Sequence, residues 1–127
     1  MRIAELLRGH AGGLCADEAA VELLIWHGHW MRGPACGVLV RAGDGEAAWI
    51  DWEGAVSVLE GGGMGCSSSE AAVLRIAASL GGGVPVDLRA ALGGLDHRNI
   101  ALVTAAVVHA NGDRGAAAWP RPGAGSR

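Results

Sequence analysis

A chain of 127 residues that is half hydrophobic and 18% charged is long enough to bury one core and too apolar to be disordered over most of its length. All ten cationic side chains are arginine, and Lys, Gln, Phe and Tyr are absent. This excludes a phosphate-loop or Schiff-base lysine, a phenolic acid or nucleophile, and a Phe/Tyr base-stacking sheet. A formal charge of −3 sets the overall field against polyanions.

Without Phe and Tyr, the core must be filled by Leu, Val, Ile and Ala, with bulk from Trp26, Trp30, Trp49, Trp52 and Trp119. The joint depletion of Lys, Phe, Tyr and Gln reads as the codon pressure of a GC-rich genome. Three cysteines, Cys15, Cys36 and Cys66, are an odd number without metal spacing, which suits a reducing compartment. The longest strongly apolar run, Ala19 to Trp26, is far short of the ~20 residues of a membrane span, and the N-terminus has no signal-peptide core. The expectation is a cytoplasmic α+β protein. It is mainly helical, with four to six helices and one antiparallel hairpin near residues 36–52. A single globular domain over 1–112 precedes a disordered tail over 113–127.

Arg2–Arg8 forms a short helix with Ile3, Leu6 and Leu7 on one side, broken at His10-Ala-Gly-Gly. Asp17 then caps a helix reaching about Trp30, with Glu18, Glu22 and His29 as its wet stripe. Val21, Leu24, Ile25 and Gly28 form its buried side, and Gly33-Pro34 stops it. From Cys36 to Trp52 the pattern is a hairpin: Val38, Leu39 and Val40, a Gly43-Asp44-Gly45 turn, then Trp49-Ile50. Asp51 caps a helix over Trp52–Glu60 that ends at Gly61-Gly62-Gly63.

The second half is more sharply punctuated. Ser67 and Glu70 fit a capping box opening a helix to Leu80, with Val73, Leu74, Ala77 and Leu80 inward and Gly81 as its left-handed end. Val84-Pro-Val is extended, because the residue before proline avoids helical geometry. Asp87 caps a short helix, Leu88–Leu92, broken by Gly93-Gly94. Asp96 caps the last helix, whose core stripe is Ile100, Val103, Val107 and Ala110, closed by Asn111-Gly112. From Asp113 the chain is small, polar or proline-rich, the composition of a disordered tail.

Few groupings carry chemistry. In Trp26-His27-Gly28-His29-Trp30 the histidines are two apart, so on a helix they point to different faces and do not grip one metal. The tryptophans, at i and i+4, share a face and pack on the hairpin. Cys66 precedes a helix N-terminus, where a thiol pKa falls, but its nearest following arginine is Arg75, nine residues on, against six in the phosphatase pattern. It is expected to be a small buried residue before the capping box. Asp44 and Asp51 have turn and cap roles, which leaves no carboxylate pair with Glu46 or Glu53, and Gly61-Gly-Gly-Met-Gly is a linker. No catalytic residue, metal or cofactor is assigned.

The last helix also carries Ala101, Leu102, Ala105, Ala106 and Val108, so it is apolar nearly all round, the pattern of a central or partner-covered helix. The primary expectation is therefore a non-catalytic accessory or protein-interaction domain, homodimeric through helix 96–110. Leu102, Ala106, Trp26 and Trp30 are its partner-binding residues. The alternative comes from a resemblance. Ala72-Val-Leu-Arg-Ile-Ala, Val86-Asp-Leu-Arg-Ala-Ala-Leu and Asp96–Ala110 together resemble the three-helix core of helix-turn-helix regulators. That likeness implies DNA reading by the start of the third helix, through His97, Arg98, Asn99 and Thr104. Within Ser67–Gly112, however, Glu70, Asp87 and Asp96 balance Arg75, Arg89 and Arg98, where a phosphate-binding face is net basic. Residues ~17–112 also resemble small uncharacterised proteins of high-GC, actinobacterial-type bacteria. The stretches concerned are Trp26-His-Gly-His-Trp, Ala48-Trp-Ile-Asp-Trp, Ser67-Ser-Ser-Glu and Leu95-Asp-His-Arg-Asn, and the resemblance implies a shared fold without an activity.

Overall fold

The computed structural model describes residues 2–44 and 47–120. Over these residues the chain is mainly helical α+β, with seven α-helices, one 3-10 turn and a two-stranded antiparallel hairpin. The helices are α1 (Arg2–Ala11), α2 (Cys15–His27), α3 (Gly33–Leu39), α4 (Trp52–Glu60), α5 (Ser68–Gly82), α6 (Leu88–Gly94) and α7 (His97–Ala110). The strands are β1 (Val40–Ala42) and β2 (Ala48–Ile50). Seven helices exceed the four to six expected, because a segment read as strand turns out helical. None of the described helices is long and apolar enough to cross a membrane.

Helix α2 is the centre of the molecule. It packs on α5 along one side and on α7 along another, with α1 against it as well. Its run Ala19–Leu24 is suited to this place because it is apolar on several faces; Ala19, Ala20, Leu23 and Leu24 are all essentially fully buried. Its start differs from expectation. The helix begins at Cys15, Leu14 caps it without a side-chain bond, and Asp17 lies inside the first turn. The capping work passes to Glu18, whose carboxylate accepts from the Gly13 amide at 2.9 Å.

Its end differs too. Gly28 takes φ +88°, which terminates α2 after His27 instead of lying on its buried side, and a 3-10 turn His29–Met31 follows. Gly33-Pro34 opens α3 instead of closing α2, with proline in the first turn, where its missing amide costs nothing. Cys36–Leu39 is consequently helical. The hairpin contracts to Val40↔Ile50, Arg41↔Trp49 and Ala42↔Ala48, and residue 45, the last of its expected turn, lies outside the described residues.

Four N-terminal caps form as the sequence dictates. Asp51 accepts from Gly54 at 3.0 Å, Asp87 from Ala90 at 3.2 Å and Asp96 from Asn99 at 2.9 Å. At α5 both halves of the capping box are made: Ser67 accepts from Glu70 at 3.1 Å, and Glu70 accepts from Ser67 at 2.8 Å. Helix α5 runs two residues past its expected end, and the left-handed position is Gly83, φ +66°. Gly81 is needed for a different reason. A Cβ there would lie 2.5 Å from the Trp52 ring and 2.8 Å from Ala20, so the glycine lets α5 approach both.

Candidate interaction surface

Helix α7 divides cleanly into two sides. Asn99, Leu102, Val103, Ala105, Ala106 and His109 face inward, while Ile100 and Val107 are exposed, at 38% and 54% of their maximum. The core stripe expected from sequence, Ile100-Val103-Val107-Ala110, is thus half wrong, since two of its members face out. In an all-round apolar helix, hydrophobicity cannot choose the inward face. The buried polar residues of the inner side, Asn99 and His109, bond there to Ser69 and Glu18.

Asn99 is buried, and its Nδ2 donates to the Ser69 hydroxyl at 2.8 Å; the same hydroxyl accepts the Asp96 amide at 3.0 Å. The start of α7 is therefore riveted to the first turn of α5 through one serine. At the other end, His109 Nε2 lies 3.1 Å from Glu18 on α2. These two contacts set the rotation of α7.

The residues assigned to partner binding therefore need correction. Leu102 and Ala106 are fully buried within the chain, and so is Trp30, whose indole donates to the Glu70 carbonyl at 3.0 Å. None of the three can meet a partner without opening the core. Trp26 is half-buried and belongs to another surface, because Gly28 separates it from Trp30 and the two do not share a helix face. The residues of α7 that face outward are Ile100, Ala101, Thr104 and Val107, linked by the same 3.6-residue period.

The residues given by the helix-turn-helix likeness do not converge on one reading face. His97 is exposed, and Arg98 is exposed but donates to the Trp26 carbonyl at 3.1 Å, closing the end of α2. Asn99 is buried in its bond to Ser69, and the Thr104 hydroxyl donates back to the Ile100 carbonyl at 2.8 Å. Helix α6 rests on α5, whereas α7 rests mainly on α2, so the last helix draws its main support from outside the proposed three-helix unit.

The histidine segment is a junction. His27 and His29 have ring centres 6.1 Å apart, and His29 Nδ1 pairs with Glu70 at 3.1 Å. His27 is buried, and its Nδ1 has no hydrogen-bond partner among the described residues. Burial, with Arg98 and His29 nearby, pushes its pKa down to about 4. Among the described residues no three His, Cys, Asp or Glu side chains come together to hold a metal. Cys66 is half-buried, and desolvation pushes its thiol up, with Glu70 adding to the rise, against the lowering that a helix N-terminus favours. Cys36 is raised by burial as well.

The first eight residues of the expected tail depart from what their composition implies. Residues 113–120 are described and fold back on the body, while 121–127, the rest of the expected disordered tail, lie outside the described residues. Arg114 pairs with Glu18, and Trp119 stacks on Trp26 at 6.3 Å and 11° while meeting His109 edge-on at 6.2 Å. The Glu18 carboxyl is held down at about 2 by Arg114, by the Gly13 amide and by His109. The signal in the sequence was Trp119, a large apolar ring within a stretch otherwise small and polar.

A shallow groove of about 470 Å³ runs between α5 and α6 over Ala71, Ala72, Ala90 and Ala91, with the Arg75–Glu60 pair at 2.9 Å on its rim. Compared with protein-family models, curated proteins and solved structures, the chain gives no match.

Proposed function

We propose that this protein is a small non-catalytic interaction domain that self-associates weakly through the outward side of α7. The observation that carries this reading is the chemistry of that side: Ile100, Ala101, Thr104 and Val107 are exposed and carry no charge. In a two-fold contact each residue meets its own symmetry-related patch, so any charge near the axis would face its like. An uncharged stripe avoids that repulsion. A helix of 14 residues is about 21 Å long, and a single pair of such helices buries less than the ~1,200 Å² typical of stable complexes. The dimer is accordingly weak and concentration-dependent.

The DNA-binding alternative has less support. Three of its four reading residues, Arg98, Asn99 and Thr104, already make hydrogen bonds within the chain, and the charge of the segment is balanced.

Sedimentation equilibrium over a wide concentration range tests the proposal. The expected result is a mass rising from the 12.8 kDa monomer toward twice that value, and a Val107→Arg chain that stays monomeric. A wild-type mass that never leaves the monomer value at the highest concentration removes the reading.

A further inference from the structure

The segment after α7 is held by two side chains, and the surface that receives it is built without its help. Glu18 is positioned by the Gly13 amide at 2.9 Å and by His109 at 3.1 Å. Trp26 donates its indole N–H to Glu22 at 3.1 Å, and Glu22 in turn accepts from Nε and Nη2 of Arg8 at 2.7 and 3.1 Å. A carboxylate and a flat indole face are thus fixed on the α2–α7 seam, ready for a cation and an aromatic ring. Arg114 and Trp119 supply that pair, five residues apart. The connection to α7 passes through Gly112 at φ +103°, a backbone state that other residues rarely adopt, so the return of the segment depends on one glycine.

We propose that this seat binds a segment carrying an arginine and an aromatic ring at that spacing, and that its occupant in trans is segment 113–120 of a second copy. The closed monomer holds the same segment as an internal competitor. Exchange between copies reproduces every contact of the closed form, because the partner segment is chemically identical, and only the hinge and the concentration distinguish the two states. A short linker gives the segment an effective local concentration in the millimolar range, so the wild-type chain stays closed when dilute. The seat is separate from the outward side of α7: His109 faces inward where Ile100 and Val107 face solvent.

Complementation tests this. One full-length chain carries Trp119→Ala, which empties the aromatic half of the seat, and the other carries Trp26→Ala, which loosens its own segment. Both carry Val107→Arg, so that self-association through α7 does not contribute. Each alone is expected to sediment as a monomer, and the equimolar mixture to form a 1:1 complex of twice the monomer mass. A synthetic peptide of residues 113–127 should bind the Trp119→Ala chain at least tenfold more tightly than the wild type, whose seat is filled; this arm stands alone if Trp26→Ala does not fold. A mixture that sediments as two monomers, together with a peptide that binds both chains equally or neither, overturns the proposal. So does a Trp119→Ala chain that fails to fold, since the segment would then be part of the core and not releasable.

Discussion

Helices α2 and α7 lie side by side and read much alike, each a run of Ala, Val, Leu and Ile with few polar interruptions, yet α2 has α1, α5 and α7 packed against it while α7 keeps one side exposed. The difference lies in their polar residues. On α2, Glu22 and Glu18 each bind an arginine from a neighbouring element, Arg8 on α1 and Arg114 after α7, so its polar stripe draws further chain over it. On α7, beyond the exposed His97 and Arg98 of its first turn, the outward side offers no charge to recruit a neighbour. An apolar helix becomes central through what its few polar groups attract, because apolar surface alone does not distinguish one cover from another.

The largest effects should come from the buried sides of both helices. Leu24→Ala on α2 and Leu102→Ala on α7 each remove a fully enclosed side chain, and both should cost about 2–5 kcal/mol in urea unfolding. Equal losses would place the inner side of α7 in the same core as α2, whereas a small loss for Leu102→Ala would break the comparison. Gly81→Ala probes the approach of α5 to Ala20 on α2. Its Cβ would press on the Trp52 ring at 2.5 Å, and a loss of about 1–3 kcal/mol should appear in the melting temperature.

Acid should weaken the α2 end of the pair. His27 is lowered to about 4, so between its unfolded value near 6.5 and that value the unfolded chain binds the extra proton. Stability contributed by the neutral ring is complete above about pH 6.5 and falls as pH drops toward 4, by roughly 2–3 kcal/mol. Glu18, held at about 2, acts in the same direction at lower pH, its contribution being lost as pH falls from about 4.5 toward 2. Unfolding curves at pH 7, 5.5 and 4 should show the first decline, and His27→Gln should flatten it. The smallest effect is expected on the open side of α7. Val107→Ala should change monomer stability by less than about 0.5 kcal/mol while reducing self-association measured by sedimentation.

Much of the fold was legible because its signals are local. The caps Asp51, Ser67, Asp87 and Asp96 stand where expected, since a cap is a bond between residues three apart and needs no tertiary partner. The errors cluster at Gly28 and Gly33-Pro34. A glycine can end a helix or sit inside one, and a proline can stop a helix or start one, so the choice between them depends on what lies beyond. Here Trp30 had to enter the core and reach the Glu70 carbonyl, which required α2 to end first. The candidate surface was less legible. Leu102 and Ala106 are buried while Ile100 and Val107 are exposed, on a helix whose apolar residues surround it.

The sequence by itself determined that the chain is mainly helical with one hairpin, where four of its helices begin, and that lysine and tyrosine chemistry is closed to it. These follow from residue type and from contacts between near neighbours. Only the tertiary structure decided that α2 and not α7 is central, which side of α7 is open, and that Arg114 and Trp119 return to Glu18 and Trp26. Those outcomes rest on pairings between elements distant in the chain, 30 residues apart for Asn99–Ser69 and 96 for Arg114–Glu18, and the apolar patterns on either side were equally compatible with their opposites.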